Sequence, residues 1–387
     1  MRILIVTDLP RQWEAGGAGV LLNHARELQK LGHDVECWFA DDVLAKPVGP
    51  QRFKTFVFAV LVARRILRAQ GKYDVVDIQT PVGFVYGTWR RLFGGKDTPP
   101  YVFTMQGILE RQAHIMRREN SKGQAWNFGW KNRLWFRLYH QTMYNWAIKT
   151  ADFGIASNRE AWTYPELKHD SEPSHLWYVP NGVEERFLTQ RDFSNKGTIR
   201  LLFVGTWLDR KGVYYLAEAF RALTQRRSDV ELTVAGCLCP ENEVTRFFAS
   251  EIRSKVRVTP FVKREDMIGI YADHDIFVFP SLMEGMPLAL LEAMATAMPV
   301  VTTETCGMAD VVEDGYNGLL VPPANTEKLV AAVEQLCESL ELREQLGRES
   351  QQTMRRYTWA RVTQKLEMVL ALAVQQAKLT AKGKKPK

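Results

Sequence analysis

Cysteine is scarce. Cys37, Cys237, Cys239, Cys306 and Cys337 are the only five in 387 residues, odd in number and scattered. That usage argues against a disulfide framework and for a reducing compartment. Only Cys237 and Cys239 lie close together, with no second pair or histidine cluster beside them. Two small buried residues at a strand end explain them better than a metal-ligand pair. Long apolar runs are missing too: FVFAVLVA, residues 56–63, is far too short to span a bilayer. No signal peptide is expected, because Met1 runs directly into RILIV, which suits a first strand. These absences indicate a soluble or peripheral protein in the cytoplasm or on the inner face of the cell membrane.

What is present is ordinary in bulk. With 46% apolar and 25% charged residues the chain reads as globular, and its length favours two domains over one. The net charge of +7 is unevenly placed. Residues 52–149 hold 17 Lys and Arg against 5 Asp and Glu, and residues 378–387 add five lysines and no acid. The basic character is local and needs a local explanation.

Along the chain, short apolar runs alternate with helical stretches. RILIVTD leads to Gly16-Gly17-Ala18-Gly19 and a helix expected from about Val20 to Leu31. DVECWFA, DVVDIQ, YVFTM and DFGIAS follow, each compatible with a buried parallel strand. Past the polar segment TQRDFSNKG the pattern restarts with IRLLFVG, VELTVAG, VRVTPFV, IFVFPS and PVVTT. Two βαβ series predict an α/β protein of two doubly wound domains facing a central cleft. The expected boundaries are 1–190 and 198–358, followed by a helix over about 359–380 and the lysine tail. In such sheets ligands bind where strands run into helices, so the informative residues belong in those loops.

Three loops carry chemistry. Gly16 and Gly17 would let the backbone approach a ligand at a helix N-terminus, where anions are favoured; a flexible turn is the alternative. In VGTWLDRKGV, Arg210 and Lys211 stand in a strand-to-helix loop, where adjacent cations could neutralise a diphosphate. A solvated pair there would be disfavoured by the helix dipole. In SLMEGMPLALLEAMATAMPVV, Pro287 suits the first position of a helix running to about Ala297. Glu284 then precedes the helix and Glu292 lies within it. Gly285, Met286, Pro287 and Leu288 bring the helix start, with its free backbone N–H groups, toward a phosphate. Each carboxylate is costly to bury alone. Glu292 could accept from the two hydroxyls of a ribose and Glu284 from a sugar, or a distant arginine could pair with either.

The stretch from Ser281 to Ala295 resembles the Glu-(seven residues)-Glu motif of retaining GT-B glycosyltransferases of family 4. The likeness runs the whole chain, through GGAG, VPNGVEERF (179–187), VGTWLDRKG, CGMADVVEDGYNGLLVPP (306–323) and a closing helix introduced by YTW. It implies a GT-B fold of two Rossmann-like domains. The N-terminal one would bind a glycan or glycolipid acceptor, the C-terminal one a UDP- or GDP-sugar, with no metal or other cofactor. Carried over, Glu292 holds the ribose, Glu284 the donor sugar and Lys211 the diphosphate. Gly16 and Gly17 close over the diphosphate, and Phe261-Val262-Lys263 lies beside the base.

Two departures from that pattern matter. The Gly-Arg-Leu expected before the lysine reads Gly205-Thr206-Trp207, which leaves Arg210 to serve in place of the first arginine. The histidine expected beside the donor sugar is Gln106, which cannot carry a proton. The family resemblance implies that the leaving diphosphate takes the acceptor proton, so a hydrogen-bonding Gln106 would suffice. Gln106 also keeps alive a second reading, a catalytically weak sugar-nucleotide-binding protein; a same-fold sugar-nucleotide epimerase is a third. Asp273-His274-Asp275 mimics a metal-binding Asp-x-Asp but precedes a strand, where it would not reach a site at the strand's carboxyl end.

Residues 111–149 combine eight Lys and Arg with Trp126, Trp130, Trp135 and Trp146. Packing within the N-terminal domain, an anionic membrane surface and an anionic acceptor site all suit this composition. No nucleic-acid-binding motif is present, and no nucleic-acid partner is expected.

Overall fold

The computed structural model describes residues 1–11, 16–44, 54–79, 81–95, 97–105, 107, 142–163, 176–194 and 197–383, with side chains to residue 380. The described residues form two compact units. One holds the N-terminal sheet and the helix from Trp359 onward; the other holds Asn181–Thr358. The second unit therefore starts ahead of residue 190, and its first residues are tied in locally. Asn181 Nδ2 donates to the Met286 carbonyl at 2.8 Å, and Arg191 donates to the carbonyls of Tyr271, His274 and Thr296.

In the first unit the strands are β1 (Arg2–Val6), β2 (Asp34–Trp38), β3 (Val75–Gln79), β4 (Tyr101–Met105), β5 (Phe153–Ala156) and β6 (Leu176–Tyr178). They pair in parallel in the order β2-β1-β3-β4-β5-β6. Alternation sends Leu4, Val6, Val76, Ile78 and Phe103 to one face, with helices Lys54–Arg68, Phe84–Phe93 and Thr142–Thr150. Ile3, Ile5, Val75 and Val102 face the other side, with helix Gly16–Lys30 and Leu366, Val369 and Leu370 of the closing helix. That helix spans Trp359–Gly383. FVFAVLVA is part of helix Lys54–Arg68, and no described helix is long and apolar enough to cross a membrane.

The second unit contains β7 (Ile199–Val204), β8 (Val230–Ala235), β9 (Val256–Thr259), β10 (Ile276–Phe279), β11 (Val300–Thr303) and β12 (Leu319–Val321). All pairings are parallel, in the order β12-β11-β10-β7-β8-β9. From β7 the chain first builds outward through β8 and β9. It then returns to add β10, β11 and β12 on the other side. The reversal falls between β7 and β10, the topological switch point where the loops after two adjacent strands diverge and leave a crevice. In the first unit the same reversal falls between β1 and β3.

Two helix boundaries differ from expectation. The first helix begins at Gly16, not near Val20, so the glycine pair forms its opening turn. Glycine costs little there, because the first N–H groups of a helix have no intrahelical partner in any case. Pro287 is the N-cap and not the first helical residue, so the helix starts one residue later than expected and spans Leu288–Ala295. It stops short of Ala297, whose φ of +54° cannot continue a right-handed helix.

Candidate functional site

The loops following β7 and β10 converge at the switch point of the second unit. After β7 the chain turns through Gly205 into a short 3-10 segment, Asp209–Lys211, closed by Gly212 at φ +71°. After β10 it runs from Pro280 to Pro287 before entering helix Leu288–Ala295. Leu282 N–H donates to the Arg210 carbonyl at 2.8 Å, joining the loops backbone to backbone. This joint sets Arg210 Nη1 and Lys211 Nζ each 2.8 Å from Glu284 Oε1. Ser281 Oγ donates to the same oxygen at 3.3 Å. Oε2 takes part in none of these contacts.

Glu284 is buried. Burial pushes its carboxyl up, but two cations more than offset it, so the net shift is below the ordinary carboxylate range. Lys211 is buried as well, and its ammonium lies 4.7 Å from the centre of the Phe279 ring. Its pKa is lowered: burial and the neighbouring Arg210 outweigh the single carboxylate. The cluster holds two cations and one anion, an excess of positive charge in a largely desolvated place. An anionic ligand would restore the balance.

Glu292 lies within the adjoining helix and is also buried. Its Oε1 accepts from Arg264 Nη1 at 2.5 Å and its Oε2 from the Tyr271 hydroxyl at 3.0 Å. Burial raises its pKa above the ordinary range against the pull of that one arginine. Arg264 is shared: its Nε and Nη2 donate to Glu184 Oε1 at 3.0 and 2.7 Å. Burial opposes the guanidinium's charge, and the two carboxylates raise its pKa nonetheless.

For the two carboxylates, then, the structure supplies protein cations, the alternative of a distant arginine that the sequence leaves open beside ligand hydroxyls. Arg264, Tyr271 and Glu184 were not singled out from the sequence. Arg264 sits in FVKRED with no local pattern to mark it, 28 residues from Glu292. Of the other expected residues, Gly285 accepts at its carbonyl from Gly307 N–H at 2.9 Å, and Met286 and Pro287 are buried. Val262 is half-buried between exposed Phe261 and Lys263, in the loop after β9. Leu288 is half-buried at the helix start. Gly16 and Gly17 are in the other unit, and Gly17 packs so closely on Leu9 that a Cβ would lie 2.7 Å from its Cδ1.

Gln106 and residues 111–141 lie outside the described residues. Cys237 is buried beyond the end of β8, but Cys239 is only half-buried, and all five cysteines are free. His274 and Asp275 serve the backbone: the imidazole Nδ1 is 2.6 Å from the Ile270 carbonyl, and Asp275 accepts from Arg200 N–H.

Comparisons with known proteins agree with this architecture. Residues 15–187 match the family described as Glycosyltransferase Family 4, and residues 198–339 that described as Glycosyl transferases group 1. The chain is 31% identical over 148 residues to the alpha-D-kanosaminyltransferase of Streptomyces kanamyceticus, covering 38% of each protein. It thus spans well under half the length of this relative. Against the D-inositol 3-phosphate glycosyltransferase of Corynebacterium diphtheriae it is 29% identical over 415 residues, covering 93% of this chain and 90% of the other. Among solved structures, Anabaena HepE in complex with UDP-glucose is similar in fold, with a TM-score of 0.70 at 18% identity, covering 96% of this chain and 100% of that one. The chain belongs to the group 1, family 4 glycosyltransferases of the GT-B fold.

Proposed function

We propose that the protein transfers a sugar from a nucleotide-diphosphate donor to a hydroxyl acceptor, with retention at the anomeric carbon. The observation that carries this reading is the Arg210–Lys211–Glu284 cluster at the β7/β10 switch point, with Glu292 buried beside it. The two cations suit a diphosphate and stabilise it as charge builds on the leaving group. When phosphate oxygens take Arg210 and Lys211, Glu284 is released to accept from donor-sugar hydroxyls. Glu292 keeps lone pairs for ribose hydroxyls beyond those used by Arg264 and Tyr271. UDP is the first nucleotide to test, since the fold neighbour HepE was solved with UDP-glucose. The acceptor is a glycan or glycolipid, and the five free cysteines suit the cytoplasm.

An anionic membrane surface is a further partner. Helices Lys54–Arg68, Phe84–Phe93 and Thr142–Thr150 pack side by side and contain no acid. They expose Phe56, Leu92, Phe93 and Trp146 close to the exposed cations Arg64, Arg68 and Arg91.

Turnover of UDP- and GDP-sugars tests the main reading. Glu284→Gln should lower turnover far more than nucleotide affinity, because it removes negative charge where the anomeric carbon becomes positive. Nucleotide binding without turnover of any donor, with any acceptor, would make the protein a binder; intact turnover in Glu284→Gln would misplace the site.

A further inference from the structure

We infer that Arg264 is a positioning residue of the donor site: its guanidinium, shared between Glu184 and Glu292, supplies the Glu292 carboxylate with its cationic partner and fixes its direction. The inference rests on the reading of Glu292 as a nucleotide ligand, but its core concerns the protein alone.

Two elements far apart in sequence meet on this one side chain. Glu184 belongs to the segment that opens the second unit, and Glu292 to helix Leu288–Ala295. One edge of the guanidinium, Nε and Nη2, engages Glu184 Oε1, and Nη1 reaches Glu292 Oε1. Glu184 is held from its other oxygen by Arg186 Nε at 3.0 Å, and Arg186 Nη2 donates back to the Arg264 carbonyl. Phe187 supports the group from below: both guanidiniums lie against its ring, at 5.2 and 5.3 Å from the centre. Tyr271 meets the same ring edge-on at 6.1 Å and donates to Glu292 Oε2.

Arg264 is therefore braced on three sides and cannot follow Glu292 if that carboxylate moves. A lysine could supply the charge but not both arms of the fork. Without Arg264, Glu292 would be buried with a neutral phenol as its strong partner, and such a carboxyl takes up a proton. A protonated Glu292 offers ribose hydroxyls a weaker acceptor, so nucleotide affinity would become sensitive to pH.

The test uses the full chain with 13C-labelled glutamate, the Glu292 carboxyl signal being assigned by its loss in Glu292→Gln. Arg264→Gln should raise the titration midpoint of Glu292 by a pH unit or more in the ligand-free protein. It should weaken UDP binding severalfold even at pH 9, through the lost orientation, and further as the pH falls through the raised midpoint, through the lost charge. Arg264→Lys should restore most of the midpoint but only part of the affinity. Glu184→Gln should weaken UDP without raising the midpoint, since it removes a brace and a like charge together. A Glu292 midpoint unchanged in both Arg264 variants, or an affinity loss constant across pH, would overturn the inference. If the midpoint moves while wild type binds neither UDP nor GDP, Arg264 keeps its role and the donor reading of Glu292 fails.

Discussion

Gly212→Ala probes how the two site loops are joined. Gly212 has φ +71°, a left-handed conformation that costs an alanine about 1 kcal/mol. A Cβ built on it would lie 2.8 Å from the Pro280 carbonyl carbon and closer still to its oxygen. Both contacts are backbone, so neither can rotate aside; relieving them means separating the loop after β7 from the loop after β10. That separation strains the Leu282 N–H to Arg210 carbonyl hydrogen bond, about 1 kcal/mol, and adds an overpacking cost of about 1–3 kcal/mol. The sum is a destabilisation of about 3–5 kcal/mol, read by urea unfolding. The separation would also draw Arg210 and Lys211 away from Glu284, so nucleotide affinity should fall in the fraction that remains folded. Gly212→Asn separates the two causes, because asparagine tolerates φ above zero yet still carries a Cβ. It should recover only the backbone term, a minority of the loss. Wild-type stability in Gly212→Ala, or full recovery in Gly212→Asn, would refute the reasoning.

Glu292→Ala should cost about 1.5–3 kcal/mol of nucleotide affinity, the range for hydrogen bonds to a charged group; unchanged calorimetric affinity in the folded variant would remove Glu292 from the site. In the first unit, Asp77 is buried, accepts from Thr104 Oγ1 at 2.7 Å, and is pushed by burial to a pKa of about 7. Its folded pKa is raised, so the folded state binds the extra proton: stability from this group rises as pH falls from 7 toward 4 and is penalised above 7. Asp77→Asn keeps an acceptor for Thr104 and should be more stable than wild type at pH 8 by about 2–4 kcal/mol, with the difference vanishing near pH 4. A pH-independent difference in unfolding free energy would show that Asp77 is not the titrating group. Vesicle sedimentation should recover the protein with anionic but not neutral lipid, less so at high salt. Replacing Arg64, Arg68 and Arg91 together by glutamate should abolish recovery, and equal recovery with neutral vesicles would count against the anionic surface.

Much of the fold was legible because parallel strands covered on both faces read as unbroken apolar runs, as RILIV, YVFTM and IFVF do. The strands LWY and LLV were not legible, since three residues make too short a run to separate from a loop. The Glu284 and Glu292 motif, the Arg210–Lys211 pair and the helix after Pro287 could be named because each is local in the chain. Their partnerships could not. Arg210 and Glu284 are 74 residues apart, and Arg264 lies 28 from Glu292 and 80 from Glu184. Sequence by itself determined ten of the twelve described strands, the helix after Pro287 and the ionisable residues of the site. Tertiary structure alone decided which charge meets which: the strand order, with its reversal between β7 and β10, sets the adjoining loops side by side and so brings Arg210 and Lys211 to Glu284.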